Sequence, residues 1–251
     1  VGTTHRGFTD RTDIHEVRNT FGCNISFRAD IFDALGGFDE RLGKRPGHEI
    51  QGEEAELCAR LRDRYAVLGW GSLLWDLDDL APKVDGPWAV GAGPRLPLEF
   101  SRISPKRKMS LVVVIDPDHG APCPTHAIAS RRSDIHAAAE DLQARERAKD
   151  VGFIGAVCRA TGFARASAPE VAAAARAWCE ATGAAGAVWT DLPRNFEAET
   201  GAPFSVDAGL AYLRGLRGES AAEARRYIDG APRETVTPLR SRLSREPWWR
   251  R

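Results

Sequence analysis

The stretch Ala66-Val-Leu-Gly-Trp-Gly-Ser-Leu-Leu-Trp75 joins a short apolar run to a turn that contains two glycines. The apolar run predicts a buried β-strand over residues 66–69. Gly69 and Gly71 allow the backbone to turn sharply at the end of that strand and to present consecutive N–H groups, which together can bind an anion such as a carboxylate. A plain tight turn is the alternative, because the loop lacks the third glycine of a dinucleotide-binding fingerprint and the Lys-Ser/Thr pair of a P-loop.

Further strands and helices are predicted on the C-terminal side of this loop. Residues 110–115 are apolar on both faces, which is typical of a central strand. Other strands are predicted at 96–100, 125–129 and 186–190. Four serines that can cap helices predict where helices begin: Ser133, Ser167, Ser205 and Ser220. This mixture of strands and intervening helices indicates an α+β domain, for which a barrel is one arrangement.

The predicted helix after Ser133 has one apolar stripe, formed by Ile135, Ala139 and Leu142. Glu146 lies four residues further on and points in nearly the same direction, since each helical residue turns by ~100°. A carboxylate that is partly buried binds a proton more readily, so a residue in this position is a candidate general acid/base. The alternative is a glutamate at a helix end that forms an ion pair with Arg145 or Arg147.

The charge balance of the 251 residues argues against some partners. Lys plus Arg number 35 and Asp plus Glu number 35, so the formal net charge is zero. A protein that binds nucleic acid through phosphate contacts is usually basic, so we expect no nucleic-acid partner. No run approaches the ~18 apolar residues of a membrane span, and the early sequence lacks the apolar stretch of a signal peptide. The sequence therefore predicts no membrane association and a cytoplasmic location, and it leaves the oligomeric state open.

The remaining residues that could carry chemistry point to structural roles. The five cysteines are scattered, and no pair has the Cys-x-x-Cys spacing of a zinc or redox site, so buried free thiols are expected, with a catalytic cysteine as the alternative. Asp116-Pro-Asp-His-Gly120 predicts a turn after a strand rather than a metal loop. The tail from Trp248 to Arg251 is expected either to pack on the domain or to be disordered. No metal site is predicted.

Two segments of the chain resemble the γ-glutamylcyclotransferase-like superfamily. Gly69-Trp-Gly-Ser-Leu-Leu-Trp75 is similar to the glycine-Ser-Leu loop of that superfamily, and is closest to the ChaC-type version, which reads Gly-Tyr-Gly-Ser-Leu followed by an apolar pair. Leu142-Gln-Ala-Arg-Glu-Arg147 resembles the family's helix with an Arg-Glu pair, whose glutamate is the catalytic acid/base. The resemblance covers residues 65–251. It implies a small mixed β-barrel with flanking helices.

The resemblance implies an enzyme that cyclises a γ-glutamyl group to 5-oxoproline and releases an amine. Glu146 would take a proton from the α-amine, which attacks the γ-carbonyl carbon; no metal or cofactor is implied. Because the nucleophile belongs to the substrate, the protein need only orient it and move a proton. The loop that would hold the α-carboxylate and amine of this small-molecule substrate consists of Gly69, Trp70, Gly71, Ser72, Leu73 and Leu74.

The sequence also departs from the ChaC-type pattern. Trp70 stands where the loop usually has a tyrosine, and the segments that set specificity in ChaC-type enzymes are not visible after the loop. Residues 96–104 stand there instead. Ser101, Arg102 and Ser104 are expected either to line the pocket or to form the surface of an edge strand. The identity of the substrate amine is therefore open, and so is the choice between turnover and a module that only binds.

Residues 19–64 carry a second resemblance. Three segments in order, 19–28, 34–43 and 52–62, resemble the acceptor-side end of a family 2 glycosyltransferase. By position, Glu54, preceded by Glu53, would be the carboxylate base that activates the sugar acceptor. No Asp-x-Asp lies upstream to hold a metal and a diphosphate. Residues 1–64, with helices expected over 29–35 and 52–64, are therefore predicted to be a remnant or a fusion segment, which could also serve as an interaction element.

Overall fold

The computed structural model describes residues 62–250. Its strands in chain order are β1 (Tyr65–Gly69), β2 (Val84–Ala89), β3 (Arg95–Ser104), β4 (Ser110–Ile115), β5 (Ala121–Pro124), β6 (His126–Ser130), β7 (Ile154–Cys158), β8 (Ala164–Arg165) and β9 (Gly186–Thr190). Its α-helices are α1 (Ile135–Glu146), α2 (Pro169–Thr182), α3 (Phe196–Thr200), α4 (Val206–Gly215), α5 (Gly218–Gly230) and α6 (Pro238–Leu243). The α+β class predicted from the sequence is confirmed for these residues.

The strands form two sheets. The larger sheet has six strands in the order β2-β6-β1-β9-β7-β8. In it β1 pairs antiparallel with β6 and parallel with β9, so it lies in the middle of the sheet. The smaller sheet has the order β4-β3-β5, and both of its pairings are antiparallel. β3 has a strand on both sides only up to Leu98, and beyond it the pairing is with β4 alone, so Ser101, Arg102 and Ser104 lie on a part of β3 that forms an edge.

The expected small mixed β-barrel is not confirmed. Within residues 62–250 the larger sheet ends at β2 and β8 and the smaller sheet ends at β4 and β5, so neither order returns to its starting strand. The two sheets nevertheless share a core. Leu68 from the larger sheet and Phe100 from the smaller one belong to the same buried cluster, which also includes Ile228 of α5.

The larger sheet is covered on both faces because the side chains of its central strand alternate between two buried clusters. Leu68 faces the cluster shared with the smaller sheet, whereas Val67 belongs to a second cluster with Leu142 of α1. A strand that is buried on both faces must be apolar throughout, and this explains the uninterrupted apolar run in β1. The packing fixes α1 on one face of the sheet, and Glu146 is its last residue.

The helix caps differ from three of the four predictions. Ser205 caps α4 as expected, since its hydroxyl accepts a hydrogen bond from the Ala208 N–H at 3.1 Å. The cap of α1 is Asp134 rather than Ser133, and the Asp134 carboxylate accepts from the Ala137 N–H at 2.8 Å. The other two serines are not caps. Ser167 donates its hydroxyl hydrogen to Asp191 at 2.7 Å, and α5 begins before Ser220, which lies in its first turn.

Several smaller predictions are also decided by the structure. Cys123, Cys158 and Cys179 are free and buried, as expected. The segment that starts at Asp116 is a turn, and the Gly120 N–H donates to the Asp116 carbonyl at 2.8 Å. The tail packs on the domain, because the Trp249 indole N–H donates to Asp229 at 3.0 Å.

Residues 62–250 contain no candidate metal site and no candidate membrane span. Over this range, no cluster of three or more His, Cys, Asp or Glu side chains could hold a metal ion, and no helix has the length and apolar composition that crossing a membrane requires.

The predicted helices at 29–35 and 52–64 lie outside the described residues, apart from 62–64, which form a turn before β1. Glu53, Glu54 and the rest of the glycosyltransferase-like segment also lie outside them.

Candidate functional site

The glycine loop (Gly69–Leu74) follows β1 directly. Trp70 is extended, and residues Gly71–Leu74 form a single 3₁₀ turn in which the Ser72 carbonyl accepts from the Trp75 and Asp76 N–H groups at 3.2 and 3.0 Å. Gly71 begins this turn with φ +71°, a backbone conformation that side chains with a Cβ rarely adopt. The tight turn expected from the sequence is therefore present, and it requires glycine at this position.

Both glycines of the loop also allow a close approach of neighbouring side chains. A Cβ atom on Gly71 would lie 2.8 Å from the Tyr227 hydroxyl oxygen and 2.9 Å from Val113 Cγ1. A Cβ atom on Gly69 would lie 2.7 Å from the Trp88 ring. These distances are shorter than ordinary van der Waals contacts, so the loop can pack here only because it lacks side chains at the two positions.

A cavity of about 870 Å³ opens beside the loop, and Glu146 lines it together with the loop residues Gly69, Trp70, Ser72 and Leu73. Gly71 and Leu74 are not among its lining residues. Arg102 and Ser104 of β3 do line it, whereas Ser101 is fully buried behind the strand. The structure therefore brings together the two segments that carry the γ-glutamylcyclotransferase-like resemblance, although they are about 75 residues apart in the sequence.

The Glu146 carboxylate is held from two sides. Arg145 Nη1 donates to Glu146 Oε1 at 2.6 Å, and the Thr190 hydroxyl donates to the same oxygen at 3.2 Å. The side chains of Glu146 and Arg145 are 16% and 8% exposed, so most of this ion pair is removed from water. The ion pair with Arg145, which was the alternative expected from the sequence, is present, and Glu146 also lines the cavity.

Cationic side chains surround the carboxylate. Lys106 donates to the backbone carbonyl of Glu146, and Arg102 donates to the backbone carbonyl of Pro193. Burial lowers the pKa of Lys106; the nearby charges of Arg147, Arg145 and Arg107 lower it further, and Glu146 opposes them. The wall of the cavity around Glu146 is therefore positively charged, which suits an anionic ligand.

Tyr227 of α5 is another residue that lines the cavity. The residue is 4% exposed and lines the cavity together with Ser72 and Val113. Burial raises the pKa of Tyr227 to about 12, and the charge of Glu146 adds to this effect. The hydroxyl is thus protonated at neutral pH and can act as a hydrogen-bond donor.

Sequence reasoning missed Tyr227 and Thr190 as residues of this site. Tyr227 lies on the buried stripe of α5 with Ala224 and Ile228, at helical spacings of three and four, so periodicity could have identified it as a buried residue. Thr190 is the last residue of β9, and the parallel pairing of β9 with β1 is what brings it close to the loop. No local signal gives that pairing.

A curated protein is similar to part of this chain. A stretch of 64 residues is 41% identical to the glucosyl-dolichyl phosphate glucuronosyltransferase of Haloferax volcanii, which is 26% of this chain and 20% of that protein. The chain thus spans about one fifth of the length of the curated relative it matches. No protein-family model and no solved structure matches the chain. The comparisons support the glycosyltransferase-like fragment and do not bear on the γ-glutamylcyclotransferase-like resemblance.

Proposed function

We propose that the domain described here is a γ-glutamylcyclotransferase-type enzyme, which converts a γ-glutamyl group to 5-oxoproline and releases an amine. The observation that carries the proposal is the shared cavity, which Glu146 and the glycine loop line together. The two open sheets of this domain pack around one core, and we propose that they correspond to the small mixed β-barrel of that family.

The proposed chemistry needs one group that moves a proton. The neutral α-amine of the substrate attacks the γ-carbonyl carbon, and Glu146 takes one of the two protons of the attacking nitrogen, so the ring nitrogen keeps the other. The new C–N bond closes the five-membered ring, and the bond to the leaving amine breaks as Glu146 returns the proton to that amine. Arg145 and Thr190 support this role because they fix the position of Glu146 Oε1, so the carboxylate is already oriented when the substrate binds.

The proposed mode of binding uses the loop backbone and the cationic wall. The opening N–H groups of the turn at Gly71–Leu74 have no partner within the turn itself, so they are available to a carboxylate. Lys106 and Arg102 line the cavity and donate to backbone carbonyls rather than to carboxylates. Their hydrogen bonds therefore leave their positive charges available to a ligand. These groups favour a ligand with at least one carboxylate, as in the γ-glutamyl group.

The decisive experiment replaces Glu146 by glutamine and measures the release of 5-oxoproline from a panel of γ-glutamyl amines and peptides. Glutamine keeps the size and the acceptor oxygen of the side chain but cannot carry the proton. General acid/base catalysis contributes roughly 10²–10⁴-fold, so the rate should fall by about that factor while the ligand still binds. Glu140→Gln is the matched control, because Glu140 lies on the same helix and is exposed to solvent.

Two outcomes would contradict the proposal. Equal rates for the parent and the Glu146→Gln protein would show that Glu146 is not the acid/base. A parent protein that binds γ-glutamyl compounds but forms no 5-oxoproline would instead favour a binding module without turnover.

A second candidate function rests on the 64-residue match to a glycosyltransferase, and the comparisons favour this candidate over the first. We propose that residues 1–64 correspond to the acceptor-side end of such an enzyme, joined near Tyr65 to the domain described above. Glucuronosyl transfer is named for the relative, and this chain spans about one fifth of that protein.

A further inference from the structure

The hydroxyl of Tyr227 lies directly above the glycine loop. Its oxygen is 2.8 Å from the position that a Cβ atom on Gly71 would occupy. The chain reaches this point through α5, which packs against β4 and against the turn at Gly71–Leu74. A helix from the C-terminal part of the domain thus places one polar atom beside the glycine loop, and the same residue lines the cavity with Glu146.

Three neighbours hold the aromatic ring in this position. Trp75 and Phe100 meet it edge to face, with ring centroids 5.9 and 6.4 Å away. The Arg107 guanidinium lies over its face, 5.6 Å from the centroid. Because the ring is packed on its edges and on one face, the hydroxyl cannot swing out of the cavity wall without disturbing the core.

The hydroxyls of Tyr227 and Ser72 can offer a donor to a ligand. Both residues line the cavity, and each side chain carries one hydroxyl hydrogen. A hydrogen bond between the two hydroxyls would use one of these hydrogens and leave the other for a ligand in the cavity.

We propose that Tyr227, paired with Ser72, donates a hydrogen bond to the γ-carbonyl oxygen of the substrate as that oxygen becomes negative. This inference rests on the function proposed above. When the amine nitrogen attacks, the carbonyl π electrons move to the oxygen; when the tetrahedral intermediate collapses, they re-form the C=O bond and the leaving amine departs with a proton from Glu146. Tyr227 keeps its own proton throughout and stabilises the charge at its maximum.

The competing explanation for Tyr227 is a purely structural one, in which the ring fills space between α5 and the loop. In that case phenylalanine would serve equally well in catalysis. The two explanations therefore differ in what removal of one oxygen atom does to the rate of the chemical step.

The test replaces Tyr227 by phenylalanine in the full chain and measures kcat and KM for 5-oxoproline release. Loss of one donor to an oxyanion typically lowers kcat by about 10²–10³-fold. We expect a loss of that size with little change in KM, because the donor acts mainly in the transition state. Tyr65→Phe is the matched control: the Tyr65 hydroxyl contacts only the Cys158 thiol, at 3.7 Å, and Tyr65 is not among the residues that line the cavity.

Two further measurements make the outcome decisive. Ser72→Ala leaves the Tyr227 ring in place and should lower kcat by a smaller factor, of about 3–10-fold, since it removes one hydrogen bond; this variant tests the pair if Tyr227→Phe fails to fold, as judged by thermal unfolding. If Glu146→Gln abolishes turnover but Tyr227→Phe and Ser72→Ala retain the parent kcat, the inference is overturned and the proposed function stands. If the parent forms no 5-oxoproline from any γ-glutamyl compound, both are overturned.

Discussion

Gly71→Ala tests whether the glycine loop is shaped by its close approach to α5 and β4. The structure gives two costs for this change. Alanine at φ +71° adopts a left-handed conformation, which costs about 1–2 kcal/mol. Its Cβ would also meet Tyr227 and Val113 at 2.8 and 2.9 Å, and forcing a methyl group into a packed core costs about 1–3 kcal/mol. The free energy of unfolding should therefore fall by about 2–5 kcal/mol.

The two costs can be separated by a second glycine. Gly162 has nearly the same backbone angle, φ +69°, but a Cβ there would meet nothing within 4 Å. Gly162→Ala should thus lose only the conformational term, about 1–2 kcal/mol. Urea unfolding measures both variants, and the slope of the free energy against urea concentration should stay constant. Equal losses for the two variants would refute the claim that close packing above Gly71 shapes the loop.

The remaining predictions concern the opposite face of the sheet and the N-terminal segment. Burial alone would raise the pKa of Asp141, but hydrogen bonds and charge from Arg132 and Lys83 lower it below its usual range. Asp141→Asn should therefore reduce the free energy of unfolding at pH 7. Well below about pH 4 the parent loses this contribution because the carboxyl is protonated, so the two proteins should then differ little, which urea unfolding at several pH values would measure. Glu54→Gln should leave 5-oxoproline release unchanged, because Glu54 belongs to the glycosyltransferase-like segment and the proposed acid/base is Glu146; a loss of 5-oxoproline release in this variant, measured against the parent, would contradict the proposed separation of the two segments.

The sequence predicted the strands and helices whose apolar pattern can be recognised from a few neighbouring residues. The strands at 110–115 and 186–190 coincide with β4 and β9. In β4 the run of apolar, largely β-branched residues is the pattern of a buried strand. The helix that carries Glu146 was also found, since three apolar residues at spacings of four and three define one face. Glu146 lines the cavity because α1 must bury that face against the sheet.

Elements whose pattern depends on distant neighbours were missed. β7 (Ile154–Cys158) was not predicted, partly because Gly155 weakens the strand signal. The structure explains the glycine: a Cβ there would lie 2.0 Å from the ring of Trp189 on the paired strand β9. Ser167 does not cap α2, whose N-cap residue is Ala168, because its backbone N–H and hydroxyl donate to the Asp191 carboxylate instead.

The charge of the cavity wall links the proposed base to the proposed nucleophile. Three acidic residues line the cavity, Asp76, Asp78 and Glu146, against six cationic ones: Arg102, Lys106, Arg107, Arg145, Arg147 and Lys149. An α-ammonium group is unreactive until it loses a proton, and positive neighbours make that loss easier. Burial lowers the pKa of Lys106, an amine already in the wall, and the charges of Arg147, Arg145 and Arg107 lower it further. Under the proposed reaction, the same cations that attract the substrate carboxylate also favour the neutral form of the amine, from which the attack on the γ-carbonyl carbon proceeds.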